Sequence, residues 1–200
     1  MKGLCFKEPL FNLAVKGRKT QTRRVVKPQP DDGFEFDCFI QNGKQAQFSK
    51  ENPHAPKNAL LRGFWQYAQP RYKVGETLYL QEPYFVSQTG VVFYKFDNNG
   101  VQPSEQAHKK WENKLFMPEK FARYFIEITN VRCERLQDIS DEDCAREGIW
   151  YNGYVYGSGV YDAYDNTPKR AFANLINSIE KGAWERNPYV FVYNFKIVKK

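Results

Sequence analysis

Histidine is scarce in this chain: 200 residues contain only His54 and His108. The four cysteines, Cys5, Cys38, Cys133 and Cys144, are scattered and form no C-x-x-C pair. Zinc sites need clustered Cys and His ligands, so these scarcities argue against a structural zinc site. No metal and no cofactor is expected. No apolar run approaches the roughly 20 residues a membrane-spanning helix needs, so no membrane partner is expected. There is no repeat and no low-complexity tail. Scattered cysteines and the lack of a signal peptide predict a reducing cytoplasm. Cys133 and Cys144 lie in apolar patterns and are expected to pack.

Positive charge and aromatic rings are plentiful. The net charge is +7, and 16% of residues are aromatic. A basic surface favours anionic partners, of which nucleic acid is the commonest; a lysine excess that only aids solubility gives the same number. The apolar fraction of 42% suffices for a core. The length fits a single domain over residues 1–200.

Periodicity predicts more strand than helix. Residues 2–6 read as a strand, and 9–16 as a helix stopped by Gly17. Residues 18–26 read as a turn entering a strand. Residues 27–69 lack periodicity and hold at most one hairpin, 35–40 with 46–48. Strands follow at 77–82 and at 91–96, the latter closed by a turn at 98–100. A β-rich run covers 121–135, interrupted near Thr129 and Asn130. Ser140 is the N-cap of a short helix stopped by Gly148, with Ile139 and Cys144 as a hydrophobic staple. Thr167 and Pro168 open an amphipathic helix ended by Gly182. Residues 189–198 are apolar on both faces and read as a central buried strand. The sum is an α+β fold: a small mixed β-barrel flanked by short helices, with long loop insertions.

Residues 17–24, G-R-K-T-Q-T-R-R, concentrate the chemistry. Arg18, Arg23 and Arg24 can hold phosphates without reading a base. Lys19 beside Thr22 is the minimum apparatus for acyl attack, because a threonine hydroxyl needs a base to take its proton. A neutral lysine serves if burial or neighbouring cations lower its pKa. In a regular strand, residues three apart face opposite ways, so Lys19 and Thr22 converge only if the chain still turns at Lys19. A plain basic edge strand, guarded against unwanted pairing, gives the same composition.

Three further candidates stand apart from that segment. Glu147 ends its short helix, where the macrodipole disfavours a carboxylate unless a cation is near. Glu82 alternates with Leu78 and Leu80 onto a core face, where a carboxylate needs a partner or a ligand, such as a base edge. Tyr154 and Tyr156 alternate with glycines in residues 151–161, which suits base stacking, a closing lid or plain packing.

Residues 16–24 resemble the G-R-K-T-x-T-x-R signature of ASCH domains, which belong to the PUA-like superfold. Further segments resemble the family in order: 72–82, Y-K-V-G-E-T-L-Y-L-Q-E; 122–131, A-R-Y-F-I-E-I-T-N-V; 136–149, L-Q-D-I-S-D-E-D-C-A-R-E-G-I; and 184–192, W-E-R-N-P-Y-V-F-V. The last is similar to the closing strand of longer, phage-borne members. The resemblance implies a PUA-like barrel and an RNA, nucleotide or modified-nucleoside partner. PUA-like domains mostly bind RNA, while some ASCH members are amidohydrolases of acylated cytidine (N4-acetylcytidine-like substrates) or ribonucleases. For the amidohydrolases it implies a catalytic set that falls here on Lys19, Thr22 and Glu147. Those members are about half as long as this chain, so the resemblance implies insertions near 27–70, 83–115 and 150–166. RNA or nucleotide binding through a basic cleft, an amidohydrolase, a ribonuclease and a phage-derived interaction protein all remain open from sequence.

Overall fold

The computed structural model describes residues 1–55, 63–97, 110–153, 155–159 and 164–199. The expected turn at 98–100, His108, Tyr161 and the base-contacting candidate Tyr154 lie outside the described residues. In chain order the elements are β1 (Lys2–Cys5), α1 (Glu8–Val15), β2 (Gln21–Val25), β3 (Glu35–Ile40), β4 (Gln45–Glu51), β5 (Gly63–Ala68), β6 (Thr77–Gln81), β7 (Tyr84–Val86) and β8 (Val92–Tyr94). They continue with β9 (Phe125–Arg135), α2 (Asp141–Arg146), β10 (Trp150–Tyr151), β11 (Tyr156–Gly157), α3 (Pro168–Ile179), α4 (Ala183–Arg186) and β12 (Tyr189–Val198).

The fold is α+β and strand-rich, with short helices. The main sheet has five strands in the order β1-β6-β9-β12-β2. β1 runs parallel to β6, and the other pairs are antiparallel. Among the described residues no pairing joins β1 to β2, so the sheet is open and the expected barrel is not closed.

The expected insertions form sheets of their own. β3, β4 and β5 make a three-stranded antiparallel sheet where only one hairpin was expected. β5 shows no alternation because Phe64, Trp65 and Tyr67 are all exposed and neither face is sorted by burial. β7 pairs with β8, and β10 with β11. The expected interruption of β9 is instead a bulge. Asn194 pairs with Asn130 and Phe195 with Ile128, so Thr129 has no residue opposite it.

β12 is central, between β9 and β2, and is buried from Tyr189 to Tyr193 and at Phe195; its end opens to solvent at Lys196 and Ile197. α3 covers the sheet with buried Ala171, Phe172 and Leu175. Burying Phe172 alone contributes about 2–3 kcal/mol. Thr167 caps α3 by accepting from the Arg170 amide at 3.3 Å.

Strand register divides the functional residues between two faces. Residues paired directly across antiparallel strands share a face. Thr22 pairs with Tyr193 and Arg24 with Phe191, while Gln21 pairs with Asn194 and Arg23 with Val192. Gln21, Arg23, Asn194, Arg132 and Glu134 therefore share the face beneath α2 and α3. Thr22 and Arg24 lie on the other.

Candidate functional site

Two helix ends build the site by the same device. α1 stops at a Schellman turn in which Gly17 N–H donates to Ala14 O and Arg18 N–H to Leu13 O. α2 stops likewise, with Gly148 N–H donating to Ala145 O and Ile149 N–H to Cys144 O. Both turns need a left-handed residue, and glycine supplies it at φ 70° in Gly17 and 99° in Gly148. Lys19 leaves the first turn and Glu147 precedes the second. Lys19 lies before β2 begins, so no regular strand runs through both Lys19 and Thr22.

The Lys19 ammonium meets Glu147 twice. Its Nζ donates to Oε2 at 2.6 Å and to the backbone oxygen at 2.7 Å. The Thr20 amide adds a bond to Arg146 O at 2.9 Å. A cation and an N–H thus cap the C-terminal carbonyls of α2, where the helix dipole favours positive charge. The awkward carboxylate of Glu147 is stabilised by the same cation. Lys19 is 2% exposed and Glu147 4%. Burial lowers the Lys19 pKa from its ordinary value, the Glu147 carboxylate opposes that, and Arg24 and Arg23 push it down further.

Arg23 is part of this cluster and not a free anion holder, which corrects its expected role. Its NH1 donates to Glu147 Oε1 at 3.0 Å and Gln21 Oε1 at 2.6 Å; its NH2 donates to Glu134 Oε1 at 2.6 Å and Asp143 Oδ2 at 3.1 Å. Arg132 joins Glu134 and Asp143 from the next strand but one, and Gln21 donates to Asp143 and Asn194. Lys19, Arg23 and Arg132 face Glu134, Asp143 and Glu147, and the exposed Arg146 also reaches Asp143, so each of the three carboxylates has a cation partner. For Arg23, burial disfavours the charge, but Glu147 and Glu134 outweigh it and raise the pKa. Asp143 is held below the usual carboxylate range: burial pushes it up, and Arg132, Gln21 and Arg23 more than reverse this.

Thr22 is 2% exposed and sits on the opposite face from Arg23. No hydrogen bond links it to Lys19 or Glu147 among the described residues. The Lys19 amine nevertheless reaches toward that face: it lies 5.3 Å from the Phe6 ring centroid, and the Arg24 guanidinium lies 5.9 Å from the same ring.

Glu82 is fully buried on the expected core face, and the partner it needs there is Arg123. Arg123 Nε and NH2 donate to Oε1 at 3.0 and 2.9 Å, and NH2 to Oε2 at 2.8 Å. Burial raises the Glu82 pKa to about 7 against the pull of Arg123. Tyr156 is half-buried, packs on Tyr151 with ring centroids 5.0 Å apart, and is joined by backbone bonds to Asp165. Cys133 and Cys144 pack in the core as expected, and burial pushes both thiols up to about 12.

A cleft of about 480 Å³ runs along the free edge of β2. Arg24, Lys27 and Arg71 line it over the apolar side chains of Ile176, Phe191 and Tyr193. Arg24 donates to the carbonyls of Arg23 and Cys5 at 3.2 and 3.3 Å. Among the described residues none of these three cations pairs with a carboxylate. The acid lining this cleft, Glu180, is held by Arg186. Lys27 and Arg71 escaped sequence reasoning because nothing in their spacing ties them to Arg24. Arg132, Glu134 and Asp143 also escaped, although the period of two in Arg132 and Glu134 placed them on one face. Comparison with family models, with curated proteins and with solved structures finds no match.

Proposed function

We propose that the chain is an RNA- or nucleotide-binding ASCH domain of PUA-like type, with its ligand in the cleft at the free edge of β2. The observation that carries this is the trio Arg24, Lys27 and Arg71, cations without carboxylate partners among the described residues, around an apolar and aromatic floor. Such a lining suits an anionic ligand with a flat apolar part. The resemblance lends support. The family-like segments supply β6 and α2 and parts of β2, β9, α4 and β12, and so contribute to most of the main sheet and the buried cluster. The segments without resemblance make β1, α1, α3 and the separate small sheets. A reducing cytoplasm suits this reading, as all four cysteines are free thiols.

Titration with fluorescein-labelled oligouridine RNA at two salt concentrations tests the proposal. Affinity falls as salt rises, because phosphate contacts release counterions. Lys27→Glu and Arg71→Glu weaken binding further. Affinity indifferent to salt and to both charge reversals rejects it.

A second reading, hydrolysis of an acylated nucleoside, is favoured by the bonding of Lys19. A neutral amine has two N–H donors and one lone pair. In the neutral form its two N–H groups stay on Glu147 and its lone pair takes the Thr22 proton as the hydroxyl attacks the acyl carbon; the acyl C–N bond then breaks as that proton passes to the leaving nucleoside amine, and water releases the acyl group from Thr22. Incubation with N4-acetylcytidine followed by chromatography is the check. Turnover by the wild type that is lost in Thr22→Val supports this reading, and an intact substrate with the wild type refutes it.

A further inference from the structure

A second cleft, of about 270 Å³, lies at the other end of the basic segment. Lys16 and Arg18 line it from the turn after α1, and Trp150 lines it from β10. Both cations are exposed, and among the described residues neither pairs with a carboxylate. Trp150 is 42% exposed, which is unusual for so large an apolar ring. Its cross-strand partner is Gly157, and the Tyr164 ring occupies the place where a Gly157 side chain would lie, yet the indole stays open to solvent. Asn12 adds an amide donor and acceptor to the same wall.

We propose that this cleft is a second nucleotide subsite in which a base stacks on Trp150 and its phosphates meet Lys16 and Arg18. The ligand is then a single-stranded polynucleotide and not a free nucleotide, an inference that rests on the nucleotide-binding reading above. Chain connectivity supplies the geometry. Arg18 lines the second cleft and Arg24 the first. The two residues are six apart, with strand from Gln21 on, so their backbones lie no more than about 20 Å apart. One nucleotide fills one cleft, whereas a short strand spans both. A flat ring beside unpaired cations is the arrangement by which single strands are held without base selectivity.

The test is a length series of labelled oligouridines, from the mononucleotide to a dodecamer, on wild type, Trp150→Ala and Trp150→Phe. Wild type shows a step in affinity at the length where the strand reaches the second cleft. Trp150→Ala flattens that step by roughly tenfold, the worth of one stacked base. Trp150→Phe restores it, because a phenyl ring still stacks. Lys16→Ala with Arg18→Ala lowers the salt dependence for the dodecamer only if phosphates sit there. A step that persists in Trp150→Ala, with wild-type RNA binding otherwise intact, overturns the second subsite alone. Wild type that binds no oligouridine of any length overturns the nucleotide-binding reading with it. Polyglutamate binding as tightly as the dodecamer overturns the polynucleotide in favour of an acidic protein segment.

Discussion

Lys19 Nζ lies 2.6 Å from Glu147 Oε2 across 128 residues of sequence. Each residue follows from a helix terminus, and each terminus relies on a left-handed glycine. The contact therefore joins two local signals that are independent of each other along the chain. It also makes Lys19 structural, whatever its chemistry.

Replacing one partner of a buried ion pair leaves the other uncompensated. Lys19→Met and Glu147→Leu should each cost about 3–5 kcal/mol. The double variant should cost less than the two single losses added together. Urea unfolding of all four proteins measures the coupling, and simple additivity would show that the pair contributes nothing as a pair. Thr22→Val is consequently the cleaner probe of turnover than any change at Lys19.

The two glycines should differ in tolerance. A Cβ on Gly148 would lie 3.2 Å from Leu10 Cδ2 and from Leu13 Cδ1, whereas one on Gly17 meets nothing within 4 Å. Both changes carry the left-handed penalty of about 1–2 kcal/mol. Gly148→Ala adds a steric cost and should lower the thermal midpoint more than Gly17→Ala. Equal losses would mean that Leu10 and Leu13 move aside freely.

Glu82 should give stability a distinctive pH dependence. Its folded pKa, about 7, exceeds the ordinary 4.5, so the folded state binds the proton more tightly than the unfolded state does. The sign follows: this group's contribution falls as pH rises from about 4.5 to 7. Glu82→Gln removes that term. Between pH 4.5 and 7.5 the urea midpoint of wild type should drop relative to that of the variant; parallel curves would contradict it.

The phosphate contacts should be countable. Each one contributes about 0.7 to the salt slope for a single strand, so Lys27→Ala with Arg71→Ala should shrink that slope by about 1.4. Anisotropy titrations across a salt series read this directly, and an unaltered slope would place the phosphates elsewhere.

Thiol labelling offers a check on the core. Cys38 is exposed, Cys5 is intermediate, and Cys133 and Cys144 are buried with thiols raised to about 12. Near pH 8, Ellman's reagent should react first at Cys38, while the two buried thiols wait for denaturant. Rapid labelling of all four in native buffer would mean an open core.

Elements were legible where one residue type had one physical use. Ser140 accepting from Asp143 N–H, Thr167 before Pro168, and the stripe of Ala171, Phe172 and Leu175 each carry a local cause that needs no partner element. β5 and the bulge at Thr129 were not legible. β5 is not sorted into faces by burial, and the bulge exists only relative to Asn194 and Phe195 across the ladder.

The same division runs through the site. The α+β class, the two glycine-stopped helices and the candidates Lys19, Thr22 and Glu147 were legible from the residues alone. Those features depend on local turn chemistry and on a residue pattern. Which cations lack a carboxylate partner among the described residues follows from packing. Arg23 and Arg24 are neighbours in sequence, but strand alternation sends one beneath α2 to Glu134, Asp143 and Glu147 and the other to the open cleft. Whether a guanidinium is free depends on which carboxylates the fold brings within about 3 Å, and that is a property of packing across the sheet.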